Sequence, residues 1–283
     1  MNTIVRTTAL LMLASSWLIS GSAQTITIKS SDTLLGLSQK WADAYLAKHP
    51  DARIQMTSGE AAAALEALAK QKADIAAVPR SMRYTEADAC QAAFGQRALE
   101  CKVGVNAVAV YVHADNPVKV VTYDELFDIY RGKRRNWKEL GGRDAAITVY
   151  GQRTNTSAGE LFMEEVLNRK EQSSDVRVMA ESELRKALAR DTNGIGFGAF
   201  APSEGIRALS IKRAFSSTPV EPGAEAISNR IYPITRFVYC YANPTAGKAE
   251  TKAFLDWIRS DEGQQMGTQA GYWPLPAKWR ASQ

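Results

Sequence analysis

Histidine is nearly missing from this chain: His49 and His113 are the only two in 283 residues. That scarcity excludes a histidine-rich zinc site, and the three cysteines, Cys90, Cys101 and Cys240, have no metal-ligand spacing. No His-centred triad, no Gly-x-Ser-x-Gly elbow and no Gly-x-x-x-x-Gly-Lys phosphate loop is present, so the common signatures of nucleophilic and nucleotide chemistry are lacking. Gly194-Ile-Gly-Phe-Gly198 has the wrong spacing for a dinucleotide fingerprint and reads as a turn at a strand edge. Neither a cofactor nor catalysis is expected. Beyond the N-terminus no run approaches the ~20 apolar residues of a membrane-spanning helix.

The N-terminus itself places Arg6 before an apolar run, Ala9 to Ile19, and then Ser20-Gly-Ser-Ala23. This order of charged, apolar and small residues predicts a cleavable signal peptide over 1–23. With no cysteine near the cleavage point to accept a lipid, the expectation is a periplasmic, untethered monomer. The net charge of +5 is mild. It suits an anionic ligand, and the strongest basic run, Arg131-Gly-Lys-Arg-Arg135, reads as a solvated face, so nucleic acid is not expected as a partner.

What remains after the signal peptide is long enough for two lobes. Thr25-Ile-Thr-Ile28 alternates as a strand, and Leu34, Leu37, Trp41 and Tyr45 then recur at helical spacing. Strand, turn and helix repeat at Arg53–Thr57, Ser58-Gly59 and Glu60–Lys70, and a third strand at Asp74–Val78 ends in Pro79-Arg80-Ser81. A further helix is expected from Ala158 to about Asn168, and a C-terminal one with Phe254, Leu255, Ile258 and Met266 turned inward. Alternation of this kind predicts an α/β fold with parallel pairings and functional groups at the strand C-termini. The apolar strand Asn106–Val112 and the apolar strand Arg236–Tyr241 read as crossovers, giving lobe 1 as 24–112 plus 232–283 and lobe 2 as 113–231. Helix starts at Ser30–Thr33, Ser58-Gly59 and Thr156-Ser157 would face a cleft between them, where free N–H groups and the helix dipole favour an oxyanion.

Three segments carry a family resemblance. Phe254–Met266 followed by Gly271-Tyr-Trp-Pro-Leu-Pro276, Leu126–Gly142 with its Asn-Trp-Lys, and Tyr232-Pro-Ile-Thr-Arg236 resemble, in order, landmarks of the periplasmic phosphate-binding proteins of ABC transporters. The resemblance implies a type II periplasmic binding protein fold, two lobes each built on a mainly parallel sheet flanked by helices, with the ligand held between them. Its implied function is capture of inorganic phosphate or a similar oxyanion and delivery to an ABC transporter permease. Ser30-Ser-Asp-Thr33 is similar to the family's Gly-Ser-Asp-Thr, Asp74–Arg80 to its Asp-Ile-Ala-x-x-Ser-Arg, and Gly151–Phe162 to its arginine turn and Ser-Gly-Thr. Carried over by position, Ser31, Thr33, Ser58, Gly59, Ser81, Thr156 and Ser157 offer hydroxyl or backbone donors. Arg80, with Arg153, would neutralise the anion by fork-shaped hydrogen bonding, and Asp32 would accept a proton-bearing oxygen.

Each residue also has a reading without a ligand. Ser31 and Ser58 suit helix caps, Asp32 suits a helix start, and Ser157 with Glu160 forms a capping box on paper. Pro79 and Glu60 depart from the family's pattern, which leaves open a member without a transport role that acts as a sensory or adhesive protein. Cys90 and Cys101, eleven positions apart (101 − 90) around Gly95, are expected to form a disulfide, with Cys240 a packed thiol.

Overall fold

The computed structural model describes residues 24–201, 203–244 and 249–280; the expected signal peptide lies outside them. β1 (Thr25–Ser31) buries Ile26 and Ile28 as the alternation predicts, and a 3₁₀ turn (Asp32–Leu34) leads into α1 (Leu35–Lys48). Leu34, Leu37, Trp41 and Tyr45 form the buried stripe of that turn and helix. β2 (Arg53–Gly59), α2 (Ala61–Ala69), β3 (Ile75–Val78) and α3 (Tyr84–Phe94) follow. Gly95, at φ 74°, ends α3 in the left-handed conformation that glycine adopts most easily.

Next comes β4 (Leu99–His113), the longest strand, and then β5 (Val120–Thr122) and α4 (Tyr123–Tyr130). β6 (Thr148–Gly151), α5 (Ser157–Glu165), β7 (Arg177–Val178), α6 (Glu181–Leu188), β8 (Gly194–Ala199), β9 (Ile206–Ala208), β10 (Ser210–Lys212) and α7 (Ala224–Ser228) complete the middle of the chain. β11 (Thr235–Ala242), α8 (Ala249–Arg259), α9 (Asp261–Gln269) and α10 (Ala277–Arg280) close it. Among the described residues no helix is long and apolar enough to cross a membrane.

The main sheet has the order β2-β1-β3-β11-β4-β8-β6-β7, with β9 also on β4, and β5 pairs with β10 apart from it. Its outer ladders are parallel: β1 with β2 and β3, β6 with β7 and β8. Those at the centre, made by β11 and β4, are antiparallel. β4 changes partner along its length. Leu99 to Ala107 pair with β11, whereas Val108 to Val112 pair with β8. One strand therefore belongs to both lobes, which is why it is apolar from Val103 almost to its end except at Asn106: both of its faces are covered.

Helices cover the sheet on both sides. α1 and α8 pack on one face through Trp41, Tyr45, Phe254 and Ile258, in a cluster that also holds Cys101 and Cys240. α2, α3 and α5 pack on the other through Leu65, Leu68, Cys90, Leu161 and Phe162. In the second lobe α6 lies on β8, whose glycines let it approach: a Cβ on Gly194 would meet Leu188 at 2.8 Å and one on Gly196 would meet Leu184 at 2.9 Å. The glycine-rich segment is thus the strand itself, not a turn before it.

Two further expectations are corrected. The C-terminal helix breaks at Ser260, whose Oγ accepts the Gly263 N–H and starts a second helix, so Met266 lies on α9 and not on α8. Cys90 and Cys101 are not joined; all three cysteines are free and buried. Cys90 points from α3 into one face of the sheet, while Cys101 is on β4 and faces the opposite side, so the sheet stands between them.

Candidate functional site

A cleft of about 860 Å³ opens where the two lobes meet. Thr33, Leu37 and Lys40 line it from the start of the first lobe, and Gln152, Arg153, Thr156, Ser157 and Ala158 from the turn between β6 and α5. Asn106 of β4 and Tyr272 of the C-terminal segment lie between these walls.

Thr156, not Ser157, caps α5: its Oγ1 accepts the Gly159 N–H at 3.0 Å. Gly159 is needed there, because a Cβ would fall 2.0 Å from the Arg153 carbonyl oxygen. The turn is thereby pressed against the helix start, and the positive end of α5 belongs to the cleft wall. Ser157 is released from capping. Its Oγ accepts from Asn106 Nδ2 at 2.8 Å and lies 3.0 Å from the Tyr272 hydroxyl, which is also 3.2 Å from the Thr33 carbonyl oxygen. Tyr272 thus touches both walls, and burial raises its phenol above the usual range, keeping it a neutral donor.

The Tyr272 ring is set by the backbone around it. Val105 and Trp273 exchange N–H to carbonyl bonds of 2.9 and 2.8 Å, and buried Gln264 bridges the Val103 carbonyl to the Leu275 N–H. The Gly-Tyr-Trp-Pro-Leu-Pro segment is joined to β4 by a single antiparallel bridge, Val105 to Trp273, with its tyrosine at the cleft.

α5 is held from below by Arg236 of β11, which is buried and bonded to Glu160 at 2.8 Å and Glu164 at 2.6 Å. The arginine of the Tyr-Pro-Ile-Thr-Arg motif therefore orients the helix whose first turn faces the cleft. The Leu126–Gly142 landmark is likewise scaffold: Trp137 is buried and donates from Nε1 to the Asn193 carbonyl.

Of the residues singled out in the sequence, Thr33, Arg153, Thr156 and Ser157 come together at the cleft. Ser31 lies directly behind, its Oγ 3.0 Å from Thr33 Oγ1. Asp32 is exposed in the first turn after β1. Ser58 and Gly59 end β2 beside Ser30 and Ser31, and the Ser58 carbonyl accepts from Lys29 Nζ. Neither lines the cleft, nor does Glu60, which stands exposed at the N-cap of α2. Arg80 also stands outside. Its fork meets Glu86 in two bonds of 2.7 Å and the Ser81 carbonyl in a third of 3.0 Å. Burial works to raise the Glu86 carboxyl, but the Arg80 fork and the Arg83 N–H outweigh it and hold it below the usual carboxylate range. Hydrogen bonding to Glu86 raises Arg80 in turn.

A profile described as a PBP superfamily domain matches residues 19–262. The chain belongs to the PBP superfamily. Within that superfamily it is similar to the phosphate-binding protein PstS of Pseudomonas aeruginosa, 26% identical over 276 residues, which cover 92% of this chain and 85% of the relative. It is also similar to PstS of Bacillus subtilis, 28% identical, covering 88% of this chain and 80% of that one. In three dimensions it matches an ABC-type phosphate transport receptor from Vibrio cholerae with a TM-score of 0.74, at 22% identity over 89% of this chain and the whole of the receptor. The fold is accordingly the two-lobed α/β type of the PBP superfamily, as the sequence landmarks implied.

Sequence reasoning on this PBP-superfamily chain missed Lys40, Asn106, Gln152 and the role of Tyr272. Lys40 lies one helical turn past Leu37 on α1, and its Nζ donates to the Gln269 carbonyl at the cleft rim. The spacing Thr33, Leu37, Lys40 puts it on the same side of the helix as the turn, a signal readable in advance. Arg153 is exposed at the cleft and makes no ion pair among the described residues. Glu181 and Glu183 stand on the far rim, Glu181 already paired with Arg185 at 2.7 Å.

Proposed function

We propose that this chain is a periplasmic solute receptor that captures phosphate or a similar oxyanion in the interlobe cleft and delivers it to the permease of an ABC importer, without covalent chemistry. The observation that carries this reading is the placement of Arg153 and the first turn of α5 on one wall, facing Thr33 and Lys40 on the other. Two cations, the hydroxyls of Thr33, Thr156 and Ser157, and a helix N-terminus are a donor set for a small anion. Relatives called phosphate-binding protein point to the same ligand class. The lobes, 24–112 with 232–283 and 113–231, would close about the strands they share, carrying Arg153 toward Thr33.

Asn106 and Tyr272 take the role of a template. Both engage Ser157 Oγ: Asn106 Nδ2 donates to it and the Tyr272 hydroxyl lies 3.0 Å away, which fixes the Ser157 hydroxyl at the cleft wall. The test is calorimetric titration of the purified chain with phosphate and with sulfate. Saturable binding of phosphate is the expected result; titrations flat for both anions would rule the receptor reading out.

A further inference from the structure

Two of the three thiols face each other. β4 and β11 run antiparallel, and Cys240 stands directly opposite Cys101 in their register. Both side chains enter the same apolar cluster, beside Val103, Val238 and Ala242, and they are 1% and 2% exposed. Residues opposite each other on one face of an antiparallel pair have Cα atoms about 4.5–5.5 Å apart, inside the roughly 4.4–6.8 Å that a disulfide spans. Cys90 is excluded from such a bond with either, because it packs with α2 and α3 against the other face.

We propose that Cys101 and Cys240 form a cross-strand disulfide in the exported protein, leaving Cys90 as the single free thiol. The oxidant is a disulfide-bearing thiol oxidoreductase or small disulfide. One cysteine thiolate attacks its sulfur–sulfur bond, giving a mixed disulfide and releasing one thiol. The second cysteine thiolate then attacks the mixed disulfide at the protein sulfur and expels the other thiol. Two electrons and two protons pass to the oxidant, which leaves as two thiols. Burial raises both protein thiols in the folded state, and Phe254, Leu255 and Ile258 of α8 cover them. The bond is therefore made as β11 pairs with β4, before α8 seats.

The occurrence of the bond in the cell rests on the periplasmic reading given above, but the geometry is tested apart from it. The full chain is reduced, denatured and refolded in a mixture of reduced and oxidised glutathione, then alkylated under denaturing conditions and digested. The expected outcome is one alkylated cysteine, Cys90, and one linked peptide pair carrying Cys101 and Cys240 that reductant separates. Cys90→Ala should show no alkylated cysteine, and Cys101→Ala should show two. Three alkylated cysteines in the folded wild-type chain, or any link that contains Cys90, would overturn the proposal. Phosphate titration of the same sample does not enter the thiol count, so failure of the receptor reading and failure of the disulfide are seen separately.

Discussion

At the residue scale the two arginines divide the work. Arg80 is already neutralised by Glu86, whereas Arg153 stands at the cleft without an ion pair among the described residues. Arg153→Ala should therefore lose a charge-assisted bond to the anion, about 1.5–3 kcal/mol, or roughly tenfold or more in affinity. Arg80→Ala should lower stability more than affinity, because it strands a half-buried carboxylate. Calorimetry and thermal melts on both variants separate the two effects, and a larger affinity loss for Arg80→Ala would reverse the assignment. Glu86 adds a pH signature. Its native carboxyl is depressed, so the pair's stabilisation is present above the ordinary glutamate range of about 4.3 and disappears as pH falls through the lower native value. The melting temperatures of wild type and Glu86→Gln should differ at neutral pH and converge in acid. The sequence hid this pairing, since Glu86 is six residues beyond Arg80 and reaches it only because the chain turns into α3 between them.

At the scale of elements, periodicity carried the reading where one face is buried. Leu34, Leu37, Trp41 and Tyr45 gave α1, and the apolar run after Asp74 gave β3. It failed where a local hydrogen bond overrides the pattern, as at Ser260, whose cap starts a second helix between Ile258 and Met266 although those two positions keep helical spacing. The cysteine pairing failed for another reason: β11 is about 140 residues beyond Cys101, and register between distant strands leaves no local trace. Tyr272 was visible as a family landmark, but only the Val105–Trp273 bridge explains why a C-terminal tyrosine reaches the cleft. α5 depends on a similarly distant partner. Arg236→Ala would remove the buried cation that Glu160 and Glu164 share, leaving Glu164 only the exposed Arg169, at a cost of about 1.5–3 kcal/mol. Urea unfolding should show that loss, together with weaker phosphate binding as the first turn of α5 drifts; an unchanged midpoint would mean that the pair is dispensable.

For the whole molecule, the cleft is wider than one small anion requires, so binding and closure should go together. Small-angle scattering should record a smaller radius of gyration when phosphate is added, and the affinity should fall as salt is raised, because Lys40 and Arg153 attract the ligand through solvent that screens them. An identical scattering profile with and without bound phosphate would place all of the recognition on a rigid surface.

The sheet order has a consequence for how the chain is made. β11 lies between β3 and β4, yet it is synthesised more than 120 residues after them (235 − 113 = 122). Until it arrives, β3 and β4 each present an open edge, and β4 is about 50 Å long and largely apolar beyond Lys102. On the lobe division proposed above, the second lobe is drawn from one continuous stretch and would be free to fold early, but the first would wait for nearly the whole polypeptide. A nascent chain of this design is most exposed to sticking to its neighbours during that wait, so it gains from being kept unfolded until its last fifty residues have emerged.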